Sequence, residues 1–177
     1  MTVPPSGESE QGVLFAGLLY AQSEYLEQAR ELLTADFGSI LVESDEILWD
    51  HSVYYEQELG VPIKRRFVFF DNLISTGLIA ETKLKTIAIE KTLSVDGIRK
   101  INIDPGYLTL AKVVLPTTKN RSHRIYLKNG IYAETTLIYI GDSFKPHLFT
   151  YTDFTKTETL ELLHKVRKQF KNKLLGI

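Results

Sequence analysis

One stretch decides the fold, residues 99–140, which reads RKINIDPGYLTLAKVVLPTTKNRSHRIYLKNGIYAETTLIYI. Asp104-Pro105 is typical of a helix start, because aspartate accepts hydrogen bonds from the free N–H groups of a first turn and proline fits the first helical position. We therefore predict a helix from here to Pro116, where the proline ring stops it. Asn129-Gly130, between alternating apolar segments, predicts a β-hairpin whose two turn residues have positive φ.

The predicted hairpin turn fixes a register for its two strands. If Lys128 pairs with Ile131, then Ile125 lies opposite Glu134. Both faces of the hairpin are largely apolar, so we expect it in the centre of a sheet. A carboxylate at Glu134 then needs a partner, because burial disfavours its charged form, and His123 is diagonal to it in this register.

Three residues are candidates for catalysis: Glu134, His123 and Asp104. The first two suit an acid/base pair or part of a metal site, with Asp104 brought in from the neighbouring strand end. The same pair equally suits a structural role that fixes the hairpin, because buried ion pairs shift pKa values without catalysing anything. Asp104 is also explained as a helix cap alone.

Basic residues and hydroxyl groups surround the polar loop before the hairpin, a composition that suits phosphate or carboxylate ligands. Solvated surface loops share this composition, so both interpretations remain open. In the basic triplet at 64–66, strand alternation places Lys64 and Arg66 on the face opposite Arg65, so only one of these two faces can join a common pocket. The residues that we predict to bind the ligand are Lys112, Lys119, Arg121, Arg124, Arg66 and Thr118.

Several strings carry a family resemblance: IDPGYLTLAK at 103–112, TTK at 117–119, HRIYL at 123–127 and GIYAE at 130–134. YYE at 54–56, KRRF at 64–67 and YTD at 151–153 extend it. Together they resemble a prokaryotic family known only as a domain of unknown function, number 4416, over nearly the whole chain beyond the first dozen residues. Some members carry a GTP-binding label, which implies nucleotide binding. The G-x-x-x-x-G-K-[ST] phosphate loop is missing, so the chain departs from what a P-loop mechanism needs.

The fold class follows from the order of the predicted elements. Strands over 12–20, 39–49, 64–71 and 99–103 and helices over 23–38 and 75–94 give the order β-α-β-β-α-β. That order predicts an α+β fold with a ferredoxin-like core and a mainly antiparallel sheet. The helix and hairpin described above, a strand within 144–151 and an amphipathic helix over 155–175 extend it. Helical spacing predicts that Leu84 lies on the apolar side of the helix over 75–94 and that Leu174 points inward from the helix over 155–175.

Length and composition set the class of protein. The 177 residues fit a single domain. We expect it over 12–177, after a disordered tail over 1–11. Cysteine is absent, which excludes disulfides and all-cysteine metal sites. The longest apolar run, 13–20, is too short to span a membrane, and no signal peptide is visible, so we predict a cytoplasmic protein without a membrane partner. We expect no haem, flavin or iron–sulfur cofactor, whereas a divalent metal is compatible but not required.

Charge is unevenly distributed along the chain. Residues 1–60 hold twelve acidic residues and one basic residue, whereas residues 61–177 hold twenty basic and ten acidic ones. Two interpretations remain: the halves face one another across the fold, or the second half forms a basic patch that receives phosphate or nucleic acid.

Three functions are compatible with these observations. The first is an uncharacterised protein that binds, or acts on, a phosphorylated small molecule such as a nucleotide through the basic loop and hairpin. The second is an RNA-binding accessory protein that uses the sheet and the basic C-terminal helix. The third is an interaction protein whose polar cluster is purely structural. The residues favour the first, and whether the protein is an enzyme stays open.

Overall fold

The computed structural model describes residues 10–49 and 53–177. Over this part the chain combines four α-helices with nine strands in one mainly antiparallel sheet. The predicted tail lies outside the described residues except for Glu10 and Gln11, the second of which begins the first strand, β1 (Gln11–Tyr20). This strand is buried along almost its whole length, as its continuous apolar sequence predicts.

The remaining elements follow in chain order. The strands are β2 (Ile40–Glu43), β3 (Ile47–Leu48), β4 (Lys64–Ser75), β5 (Ile101–Leu108), β6 (Lys112–Thr117), β7 (Ile125–Lys128), β8 (Ile131–Ile140) and β9 (Ser143–Pro146). The helices are α1 (Ser23–Phe37), α2 (Glu56–Leu59), α3 (Ile79–Thr92) and α4 (Thr157–Leu175), with 3-10 turns at Val53–Tyr55, Thr76–Leu78 and Thr152–Thr155. The predicted strand over 39–49 is therefore two short strands.

The sheet separates two hydrophobic cores. Its strand order is β2-β4-β1-β5-β6-β8-β7, with β3 paired to β4 and β9 paired to β8. Alternate residues of β1 point to opposite faces: Leu14 packs with α1 and α3, whereas Phe15 packs with α4. Helices thus cover both faces of the sheet. None of the described helices combines the length and the hydrophobicity that a transmembrane helix needs.

The predicted helix from Asp104 to Pro116 is wrong, because these residues form β5 and β6. β5 pairs with β1 along its whole length, from Ile101 opposite Tyr20 to Leu108 opposite Val13. Its other edge pairs with β6 at its last two residues only. The N–H of Ile103 points to that open edge. Pro105 lies two residues later in the strand, so a backbone N–H at this position would point to the same edge. Its absence therefore breaks no strand pairing.

The predicted hairpin turn is confirmed, with φ of 53° at Asn129 and 75° at Gly130. The register beyond the turn is wrong. A bulge at Leu127 follows the Lys128–Ile131 pair, and Ile125 consequently lies opposite Ala133 instead of Glu134.

The hairpin also lies at the edge of the sheet instead of in its centre. All four residues of β7 are exposed, and Ile125 is 73% exposed. β7 is the last strand in the sheet order, so its outer edge has no partner strand among the described residues.

Two helices differ from prediction in the face that they bury. In α3 the predicted apolar face contains Leu84, which is 38% exposed, whereas Lys83 and Glu90 are buried. In α4 the predicted inward residue Leu174 is 51% exposed. The buried charges on α3 mark the part of the fold where a site forms.

Gly106 permits the close packing of β5 on its neighbours. A methyl group there would lie 2.7 Å from Leu115 Cδ2 and against the ring of Phe15. We therefore expect Gly106→Ala to lower the free energy of unfolding by about 1–3 kcal/mol in urea titrations, as overpacked cores do. Gly77→Ala is the matched control, because its methyl group would find only Ser75 Oγ, at 3.6 Å. Equal stability of the two variants would contradict this packing.

Candidate functional site

β5 and β6 separate after only two residue pairs, Tyr107–Val114 and Leu108–Val113. A cavity of about 530 Å³ occupies the gap between the two strands. Helix α3, the tyrosines at 54–55 and the turn Thr152–Thr155 contribute further parts of its wall. Its volume is within the range of small-molecule sites.

Side chains from α3 satisfy the open edge of β5. Glu90 Oε1 accepts a hydrogen bond from the Ile103 N–H at 2.5 Å, and Lys83 Nζ donates to the Ile103 carbonyl at 3.1 Å. Unpaired backbone groups away from water are costly, so these two side chains replace the bonds that a neighbouring strand would make. Burial raises the pKa of Glu90, although the nearby Lys83 ammonium and the Ile103 N–H oppose that shift.

Asp104 is the carboxylate that this arrangement presents to the cavity. Its Oδ2 accepts from Asn102 Nδ2 at 2.7 Å, and its Oδ1 lies 3.4 Å from Lys83 Nζ. The side chain keeps 37% of its surface exposed in the cavity wall. Burial opposes ionisation, but the Lys83 ammonium and the Arg65 guanidinium nevertheless hold the pKa of Asp104 below its usual value.

Arg65 crosses a strand to reach this carboxylate. It starts on β4, passes over β1 at Gly17 and places Nη1 3.7 Å from Asp104 Oδ2, while Nη2 pairs with Asp153 at 2.8 Å. A methyl group on Gly17 would lie 2.5 Å from Arg65 Nη2. Glycine at this position therefore opens the path of the guanidinium across the sheet.

Arg99 lines the cavity and binds three polar neighbours. It makes two bonds to the Glu58 carboxylate, at 2.6 and 2.8 Å, and further bonds to Glu90 and Asn102. The Glu58 carboxylate raises the pKa of Arg99 despite its partial burial. Burial and the Asp104 charge raise the pKa of neighbouring Tyr55 to about 12, so its hydroxyl stays protonated at neutral pH.

The opposite wall comes from β6 and the loop after it. Continuing the register from the Tyr107–Val114 pair would set Asp104 opposite Thr117, three residues along on each strand. Thr117, Thr118 and Lys119 all line the cavity. A carboxylate on one side of the gap therefore shares the cavity with hydroxyl and ammonium groups from the other side.

Glu134 on β8 lies at the end of this second wall, beside Leu115, and is 4% exposed. The structure brings it together with His123, whose Nε2 is 3.1 Å from Glu134 Oε2, and with Arg124, whose Nε donates to the same oxygen at 2.6 Å. Arg124 also donates to the Lys119 carbonyl and the Tyr151 hydroxyl. Arg124 is thus a clamp that holds the loop against β8.

The other predicted residues are placed as follows. Thr118 and Lys119 line the cavity together with Asp104 and Glu134. Lys112 and His123 line a second hollow of about 360 Å³, which Glu134 shares. Arg121 is exposed and lines neither of the two.

The structure places Arg66, predicted as a ligand-binding residue, outside the cavity wall. Strand alternation sends Arg65 to the cavity side of β4 and Arg66 to the opposite face, where it bonds Glu43 at 3.2 Å. Of the basic triplet, Arg65 is the residue that reaches the cavity.

Six polar residues of the cavity wall are not among the site residues predicted from the sequence: Arg65, Lys83, Glu90, Arg99, Asn102 and Asp153. A signal existed for some of them. Lys83 and Glu90 are seven residues apart and so share a helix face, and Asn102 and Asp104 are two apart and so share a strand face. Among the described residues, no group of three or more histidine, aspartate or glutamate side chains is arranged to hold a metal ion.

The lowered pKa of Asp104 predicts how its contribution to stability depends on pH. A carboxyl group with a depressed pKa stabilises the fold above its unfolded pKa, near 3.9, and loses that contribution as the pH falls through its folded value. We expect Asp104→Asn to lower the free energy of unfolding by about 1–3 kcal/mol at pH 7. The difference from the wild type should shrink in urea titrations below about pH 4.

Asp142→Asn is the control for this measurement, because Asp142 is exposed. It should leave stability unchanged at pH 7. A deficit of Asp104→Asn that stays constant or grows on acidification would contradict the ion-pair network.

Neither the curated proteins nor the solved structures contain a match to the chain. A family model described as a domain of unknown function, DUF4416, matches residues 10–170, which confirms the resemblance noted in the sequence. The chain belongs to the DUF4416 family.

Proposed function

We propose that the protein binds a phosphorylated small molecule, such as a nucleotide, in the cavity between β5 and β6. One observation carries the proposal: Asp104 from one side of the gap and Thr117, Thr118 and Lys119 from the other line the same cavity. A polar ligand with an anionic end and hydrogen-bond donors at its other end complements such a gap.

Lys119 is the residue best suited to receive the phosphate. Its ammonium group lies 5.3 Å from the centre of the Tyr54 ring, and no carboxylate of the described residues lies within ion-pair distance of it. The other cations of the wall, Arg65, Lys83 and Arg99, all face carboxylates. An incoming anion therefore gains most beside Lys119, with two threonine hydroxyls adjacent.

The cluster around Glu134 has a supporting role in this proposal. Arg124 donates from Nε to Glu134 and from Nη1 to the Lys119 carbonyl at 2.9 Å. These two bonds fix the backbone at Lys119 and therefore the position of its side chain. An arginine that is paired in this way positions a neighbouring cation instead of meeting the ligand itself. Arg121 is exposed and outside the cavity, and it takes no part.

We also infer that the core is ferredoxin-like. Strands β2, β4, β1 and β5 are neighbours in that order, and α1 and α3 pack together on one face of them. This arrangement supports the β-α-β-β-α-β assignment, in which β3 is a short addition beside β4 and β6 to β9 extend the sheet.

A thermal-shift panel of nucleotides, sugar phosphates and inorganic phosphate tests the proposed function. A ligand at 100 times its Kd stabilises by about 2.7 kcal/mol, which raises Tm by about 5–10 °C in a protein of this size. We expect such a rise for at least one phosphorylated compound. Lys119→Ala should remove most of it, because one charge-assisted contact accounts for about tenfold in affinity or more.

Arg121→Ala is the matched control, since it removes a cation two residues away that does not line the cavity. It should keep the full shift. A shift that Arg121→Ala abolishes and Lys119→Ala preserves would place the ligand elsewhere. Binding of RNA that weakens steeply with salt, with no response to small phosphates, would replace the proposal by the RNA-binding alternative.

A further inference from the structure

Asp104 is held in one orientation by groups from three elements. Asn102 on β5, Lys83 on α3 and Arg65 on β4 approach its two oxygens at 2.7, 3.4 and 3.7 Å. An ionised carboxylate that is already oriented in this way accepts further hydrogen bonds without reorganising. The geometry is that of a preformed acceptor.

The same neighbours leave part of the acceptor capacity unused. The two oxygens of a carboxylate offer about four lone-pair sites. Only the bond from Asn102 is short, and 37% of the Asp104 side chain remains exposed where it lines the cavity. A ligand in the cavity must therefore offer hydrogen-bond donors at this point, or the carboxylate loses its water without compensation.

The charge around Asp104 limits which donors fit. A ligand ammonium group or a metal cation beside the carboxylate would meet the like charges of Lys83 and Arg65, each within 3.7 Å of it. A phosphate would meet the carboxylate itself. Neutral hydroxyl donors avoid both conflicts, and an acidic residue accepts from the ribose 2′-hydroxyl in dinucleotide sites in the same way.

We propose that Asp104 recognises adjacent hydroxyl groups of a sugar, so that the ligand is a ribose-type sugar phosphate or a ribonucleotide instead of its deoxy counterpart. This inference rests on the proposed function, since it places the phosphate of the same ligand beside Lys119. Asp104 is then the residue that determines specificity for the sugar, and Lys119 the residue that binds the phosphate.

Calorimetric titration of the full chain tests this assignment with defined probes: the four ribonucleoside 5′-monophosphates against their 2′-deoxy forms, and ribose 5-phosphate against 2-deoxyribose 5-phosphate. We expect the wild type to bind at least one ribose compound ten times more tightly than its deoxy partner, because a lost bond to a charged group weakens binding by that factor or more. Asp104→Asn should reduce this ratio to about threefold or less. Lys119→Ala should weaken both members of a pair by the same factor and leave the ratio unchanged.

The outcomes separate the two proposals. Ribose and deoxyribose compounds that bind the wild type within threefold of each other would overturn the role of Asp104 and leave the phosphate site standing. Absence of binding by every phosphorylated probe would overturn the proposed function, and this inference with it. The wild-type ratio decides the question even where Asp104→Asn does not fold.

Discussion

The site depends on the way α3 satisfies the free edge of β5. Glu90 and Lys83 bond the N–H and the carbonyl of Ile103, the two groups that a neighbouring strand would otherwise pair. A sheet that splits open inside a protein normally exposes such groups at a cost of about 1–3 kcal/mol each. Because two side chains remove that cost, β6 can diverge from β5 and leave a cavity in the middle of the sheet.

The same interaction determines the charge of the cavity wall. Lys83 continues from the Ile103 carbonyl to Asp104, and Arg65 reaches that carboxylate across Gly17 from the other side. The Lys83 ammonium lowers the pKa of both Glu90 and Asp104, but burial outweighs it at Glu90 and raises that pKa, whereas at Asp104 the cations outweigh burial and the pKa is lowered. In the proposed function the same few residues hold the sheet together and bind the ligand, so we expect a substitution here to alter stability as well as affinity.

Local signals in the sequence predicted local structure well, and they failed where a distant partner decides. Asn129-Gly130 forms its turn because positive φ is a property of those two residues. Asp104-Pro105 carries an equally good helix signal, yet pairing with β1 makes it a strand, and its open edge tolerates the proline. The buried face of α3 could not be predicted from the sequence, because hydrophobic periodicity places apolar residues inward. Periodicity cannot show that Lys83 and Glu90 bind the backbone of Ile103.

Amide hydrogen exchange at Ile103 measures whether α3 replaces a strand at the free edge of β5, because this N–H is protected by a side chain from another element. We expect the Ile103 amide of the wild type to exchange as slowly as the core amides of β1. In Glu90→Ala it should exchange faster by at least tenfold, while the amides between β1 and β4 keep their protection. An Ile103 amide that exchanges freely in the wild type, or that is equally protected in Glu90→Ala, would show that the Glu90 side chain does not hold the free edge of β5.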